Sequence, residues 1–225
     1  MGRTKNRRFP VPTNEAPLAP PEEQFVSATQ QREAATLGMW IFLATEVLFF
    51  GGMLLAYSAY RIWYFADFRF GSRHLDFLLG TTNTAILLTS SFLMASAVSA
   101  GRLLDRRNTV ILLVATAILG AVFLGIKGYE WHTAIDDGFW PANTSSNAPR
   151  GVHLFYSLYF GLTGLHGLHL FIGIGILSGT ALRFSRLPTF RRNQNYLTLL
   201  GLYWHFVDIV WIFLYPLLYF IGRSS

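Results

Sequence analysis

The chain is expected to be an all-α integral membrane protein: a bundle of five transmembrane helices behind a disordered or extended N-terminal tail. Three observations carry that expectation. Apolar residues make up 52% of the 225 positions and charged residues 13%, whereas soluble domains carry about a quarter charged residues. Five apolar stretches, at about residues 37–60, 76–100, 109–131, 153–182 and 197–221, each supply the roughly 20 residues that a helix needs to cross about 30 Å of hydrocarbon. The intervals between them collect charge, proline and glycine. Helices rather than strands follow because backbone groups left unpaired in lipid are intolerable, and these runs are too long and too uniformly apolar for barrel strands.

Residues 1–36 form the tail. Arg3, Lys5, Arg7 and Arg8 are followed by Pro10, Pro12, Pro17, Pro20 and Pro21, a composition that cannot bury enough surface to fold alone. It lacks the apolar core of a secretory signal. The transmembrane domain then runs over 37–222. Gly38, Ala44, Gly51 and Gly52 in the first span, Ser90, Ser91, Ala95 and Ser99 in the second, and Gly164, Gly167, Gly175 and Gly179 in the fourth are expected to let backbones approach closely. A charged turn at 101–108 joins the second and third spans. The loop over 136–150, with Pro141, Pro149 and a polar run, is the longest between spans and is expected to be exposed. Trp40, Trp63, Tyr64, Trp131, Trp140 and Tyr219 fall near the expected span ends, where amphipathic rings favour the headgroup level.

Five spans put the termini on opposite sides. Of the eighteen Lys and Arg residues, twelve lie on the side of the N-terminus: Arg3, Lys5, Arg7, Arg8, Arg32, Arg102, Arg106, Arg107, Arg183, Arg186, Arg191 and Arg192. That excess places the N-terminus in the cytoplasm. The net charge of +6 comes from these scattered residues, with no basic stripe of the kind that binds nucleic acid. Without cysteine, disulfides, thiolate metal sites and a cysteine nucleophile are excluded. No P-loop, dinucleotide or hydrolase fingerprint is present.

Polar residues inside the spans are the candidate functional groups. Glu46 lies near the middle of the first span, where a charge costs roughly 2.5 kcal/mol or more unless it is protonated, partnered or in a wet cleft. The third span ends in Lys127-Gly128-Tyr129-Glu130-Trp131-His132, an interfacial belt in which Lys127 and Trp131 are expected to reach the surface. His166 and His169 in the fourth span are three apart and share a helical face, which suits a hydrogen bond to a second helix, a lipid phosphate or a metal. In the fifth, Trp204, His205 and Asp208 set an acid, a base and an indole donor on one stripe. A hydrogen bond or ion pair within that helix or across to a neighbour would offset their burial. His153 and His166 are thirteen apart, as in two-haem bundles, but no second helix offers a matching pair. No cluster of three or four metal ligands exists. A small proton-coupled transporter using Glu46 is an alternative from another class, against which the lack of inverted repeats weighs.

Four strings resemble subunit III of the haem-copper oxidases, the cytochrome c oxidase and quinol oxidase superfamily. They are Gly38-Met39-Trp40-Ile41-Phe42-Leu43-Ala44-Thr45-Glu46-Val47-Leu48-Phe49-Phe50; Asn83-Thr84-Ala85-Ile86-Leu87-Leu88 with Ser90-Ser91; Thr163-Gly164-Leu165-His166-Gly167-Leu168-His169; and Tyr203-Trp204-His205-Phe206-Val207-Asp208-Ile209-Val210-Trp211. They occur in family order across 37–222 and look like the five-helix form, which lacks the two N-terminal helices of longer members. The resemblance implies a redox-inactive subunit of the inner (plasma) membrane. It would pack on oxidase subunit I and other subunits, which hold the haem and copper, and keep phospholipid in a cleft between its helices. It would support proton uptake and protect the oxidase during turnover. Carried over, Glu46, His166, His169, Trp204, His205 and Asp208 would line or brace that cleft. Arg61 is a candidate for a lipid headgroup, with no motif behind it. A related branch serves nitric oxide reductase systems, and sequence separates it poorly from oxidase subunits.

Overall fold

The computed structural model describes residues 26–141, 149–186 and 194–220. Most of the tail, residues 1–25, the centre of the 136–150 loop, and Arg191 and Arg192 lie outside the described residues. The described residues form six helices: α1 (Ala28–Trp63), α2 (Phe65–His74), α3 (Phe77–Arg102), α4 (Arg106–Asp136), α5 (Arg150–Arg186) and α6 (Gln194–Tyr219). All except α2 are long and apolar enough to span a membrane. No strand occurs among the described residues.

Two boundaries differ from the sequence expectation. The tail was expected to run to Thr36, but α1 starts at Ala28, because Ser27 caps it by accepting from the Gln30 N–H and the following Thr-Gln-Gln-Arg-Glu-Ala-Ala run contains good helix formers. Between the first two spans the sequence reading assigned nothing. The chain there folds into α2, whose buried face is Phe68, Gly71 and Ser72. Phe68 packs edge-on against Tyr57 of α1 and Phe155 of α5.

The turn expected at 101–108 tightens to Leu103–Asp105. The Asp105 N–H bonds the Ala100 carbonyl and the Leu104 N–H bonds the Gly101 carbonyl, the paired closure of a Schellman motif with Leu104 at φ 59°. Asp105 then caps α4 by accepting from the Asn108 N–H. Gly138, at φ 83°, closes α4 in the same way.

The core runs through α3, α4, α5 and α6, while α1 stands to one side against α5 and α6. In the most apolar stretch of α1, 11% of residues are buried, against 56% in α6. Pro216 sits inside α6 near its end and supplies no N–H there. The last carbonyls are satisfied from elsewhere: Tyr57 O–H donates to Leu217 O (3.1 Å) and Ser72 O–H to Leu218 O (2.6 Å). These bonds tie α1 and α2 to the end of α6.

The small residues divide by role. Gly164 and Gly167 approach Trp131 and Leu124, as close packing requires. By contrast, a Cβ added at Gly38, Gly51, Gly52, Gly175 or Gly179 would meet nothing within 4 Å. The expectation that these five serve contacts inside the bundle is therefore corrected: they face outward.

Candidate functional site

Glu46 on α1 points toward α5. Its Oε2 lies 3.2 Å from His169 Nε2, and both side chains are largely enclosed, at 18% and 14% exposed. The contact meets ion-pair distance but not hydrogen-bond geometry, so Glu46 Oε2 has no full hydrogen bond. The other ring nitrogen fixes the tautomer. His169 Nδ1 is 2.9 Å from Leu165 O, a carbonyl that can only accept, so Nδ1 carries a hydrogen. The pair is an acid and an imidazole facing one another in an apolar surround. Phe50 packs edge-on against His169, and Tyr203 donates to the His169 carbonyl at 2.9 Å.

His166 behaves differently, although it shares a helix turn with His169. It is buried among Phe123 of α4 and Trp211 of α6, with ring centroids at 5.6 and 5.1 Å, and neither of its nitrogens has a hydrogen-bond partner. The expected common face of His166 and His169 therefore splits. At 100° per residue, three positions leave about 60° between the side chains, enough to send one into the core and the other toward α1.

On α6, Trp204 is a joint for four helices. Its Nε1–H donates to Ser90 Oγ of α3 at 3.2 Å. Its ring fills the space left by Gly120 of α4 and Gly173 of α5, where an added Cβ would stand 2.8 and 3.0 Å from the indole. Neither glycine was singled out from the sequence. His205 Nδ1 pairs with Ser91 Oγ of α3 at 2.8 Å, so its partner is a neighbouring helix and not Asp208. Asp208 is buried at 3% exposure; Ser91 lies close enough to interact with it, yet neither carboxylate oxygen makes a bond of acceptable geometry. Asp208 and His166 are thus the core polar groups with the least compensation.

A second constellation overturns the interfacial reading of Lys127, which is 3% exposed, and of Tyr219, at 1%. Lys127 Nζ donates to Glu130 Oε2 (3.0 Å), Tyr159 Oη (3.1 Å) and Tyr219 Oη (2.6 Å). Both tyrosines donate to Glu130 Oε1, at 2.9 and 2.5 Å. All three ammonium protons and both carboxylate oxygens are engaged, and the rings of Tyr159, Trp211 and Tyr219 flank the cation. The signal available in sequence was the i, i+3 spacing of Lys127 and Glu130. Their phenol partners come from 29 or more residues away.

Among the described residues no group of three or more His, Asp or Glu side chains is placed to hold a metal. Arg61, in the last turn of α1, lies near Tyr57 and has no acidic partner among the described residues.

Five apolar helices, with ionisable side chains turned inward on one another, define an integral membrane protein of the polytopic helical class. Residues 26–223 match the family model for cytochrome c oxidase subunit III, and the chain belongs to that family. It is 33% identical to cytochrome c oxidase subunit 3 of Thermostichus vulcanus over 198 residues, covering 87% of this chain and 92% of that one. It is also similar to the cytochrome bo(3) ubiquinol oxidase subunit 3 of Pseudomonas aeruginosa, at 30% over 82% of this chain and 84% of the relative. The quinol oxidase subunit 3 of Bacillus spizizenii is likewise 30% identical, over 84% and 88%.

Proposed function

We propose that this chain is the redox-inactive accessory subunit of a haem-copper terminal oxidase. It packs on subunit I, keeps phospholipid in a cleft beside α1, and supports proton uptake and stability during oxygen reduction. Haem and copper belong to the partner subunits. The membrane is the cell's inner (plasma) membrane, with the N-terminus cytoplasmic, as the basic residues favour.

The observation that carries the reading is the Glu46–His169 pair. An acid and an imidazole facing one another between a peripheral helix and the core are suited to handling a proton near the edge of a larger subunit. His166, Trp204, His205 and Asp208 set the spacing of α3, α5 and α6 behind it, and Arg61 meets a headgroup at the other end of α1. The outward glycines of α1 and α5 suit a neighbouring helix, since small residues allow close approach in lipid.

The test is the complex itself. Copurification with a haem-copper subunit is expected, and removing this chain is expected to shorten the number of turnovers before inactivation. Purification without such a partner, or an oxidase equally durable without the chain, overturns the proposal. Proton transport by the isolated chain in liposomes, lost in Glu46→Gln, would instead favour a transporter.

A further inference from the structure

We propose that α2 is an interfacial helix that binds an anionic phospholipid headgroup through Arg69. The proposal rests on the membrane placement of the chain and is independent of the oxidase reading. The depth of α2 is set by its neighbours: α1 ends one residue before it and α3 starts two residues after it. Ten residues at 1.5 Å rise, about 15 Å of helix, must therefore lie at the boundary where both spans leave the hydrocarbon.

One face of α2 is committed to the bundle through Phe68, Gly71 and Ser72. Away from that face Phe65 and Phe70 are 48% and 47% exposed, and Trp63 just before the helix is 74% exposed. Exposed aromatic rings next to arginines on a helix anchored by its other face are the composition of the lipid–water interface.

Charge selects the headgroup. Of the two acids of the segment, one caps a helix and the other is packed against the start of α5. Asp67 lies against Gly151 in the first turn of α5, and Asp76 caps α3 by accepting from the Leu78 and Leu79 N–H groups. Arg69 makes no hydrogen bond or ion pair among the described residues, and its Nε is enclosed. An enclosed Nε–H lacking an acceptor is costly, and a phosphate diester supplies oxygens in the geometry that a guanidinium fork accepts. A phosphate tethered to acyl chains also gives Phe65 and Phe70 an apolar neighbour, which a free phosphate ion does not.

The test uses the full chain in the complex with which it purifies, placed in nanodiscs of phosphatidylcholine with or without phosphatidylglycerol. The chain has no cysteine, so a spin label at exposed Ala66→Cys reports one site on it. The label is expected at headgroup depth, reached by both oxygen and a water-soluble relaxant. Retention of phosphatidylglycerol, read by mass spectrometry of the intact complex, is expected to fall about fivefold in Arg69→Gln, the equivalent of about 1 kcal/mol per basic side chain at a lipid surface. Arg69→Lys should retain most of it. A label that reads only water, or one shielded from both probes as beneath a partner protein, overturns the proposal. So does unchanged retention in an assembled Arg69→Gln complex, or displacement of the lipid by millimolar inorganic phosphate.

Discussion

Lys127 and Glu130 illustrate how a helix bundle buries a base and an acid side by side. Each is costly to desolvate, and only complete pairing with Tyr159 and Tyr219 offsets the cost. Lys127→Met is therefore expected to destabilise the fold by about 3–5 kcal/mol, because it strands the carboxylate, and adding Glu130→Gln should restore much of the loss. Thermal unfolding of the purified protein in detergent checks this; a double variant no better than the single would contradict it. Glu46→Gln tests the other pair. An amide N–H can still meet His169 Nε2, so folding should be kept while the ionisable carboxyl is lost, and the complex should then inactivate after fewer turnovers. Glu46→Leu leaves His169 Nε2 without a partner and should cost about 1–3 kcal/mol in addition.

At the scale of elements, helices meet where glycine leaves room for an indole. Gly120→Ala sets a methyl group within 2.8 Å of Trp204 and should cost about 1–3 kcal/mol, read as a lowered melting temperature. Gly175→Ala, with nothing within 4 Å, should leave the melting temperature of the isolated chain unchanged and serves as its control. The α3–α4 turn carries a leucine where a left-handed residue is required. Leu104→Gly removes a strain of about 1–2 kcal/mol, partly offset by the freedom glycine gains when unfolded, so a small rise in melting temperature is expected.

For the whole molecule, the consequential feature is asymmetry. Four helices make most of the buried core, whereas α1 adds Leu43, Phe50 and Tyr57 along one edge and is tied at the α6 end. Gly51 and Gly52 face away from the rest of the chain. Gly51→Leu should change the stability of the isolated chain by no more than about 0.5 kcal/mol, as outward substitutions usually do, while weakening copurification with its partner subunits. Equal copurification of variant and parent would show that this face meets lipid alone.

The spans were legible because hydrocarbon thickness imposes a length and a composition that each stretch of chain must satisfy by itself. The family was legible for a related reason: strings such as Tyr203 to Trp211 set charged groups inside spans, where chance seldom puts them. Glu46, His166, His169, Trp204, His205 and Asp208 could be named on that basis. Their partners could not, since the distance from Glu46 to His169 or from His205 to Ser91 is a property of how separate helices pack. The same holds for Lys127, whose neighbours in sequence suggested an interface and whose neighbours in space make it core. The sequence alone determined that the chain crosses the membrane five times and to which family it belongs. Tertiary structure decided which polar groups face one another, which are sealed, and which glycines face outward, because lipid constrains each span singly while helix packing depends on all of them at once.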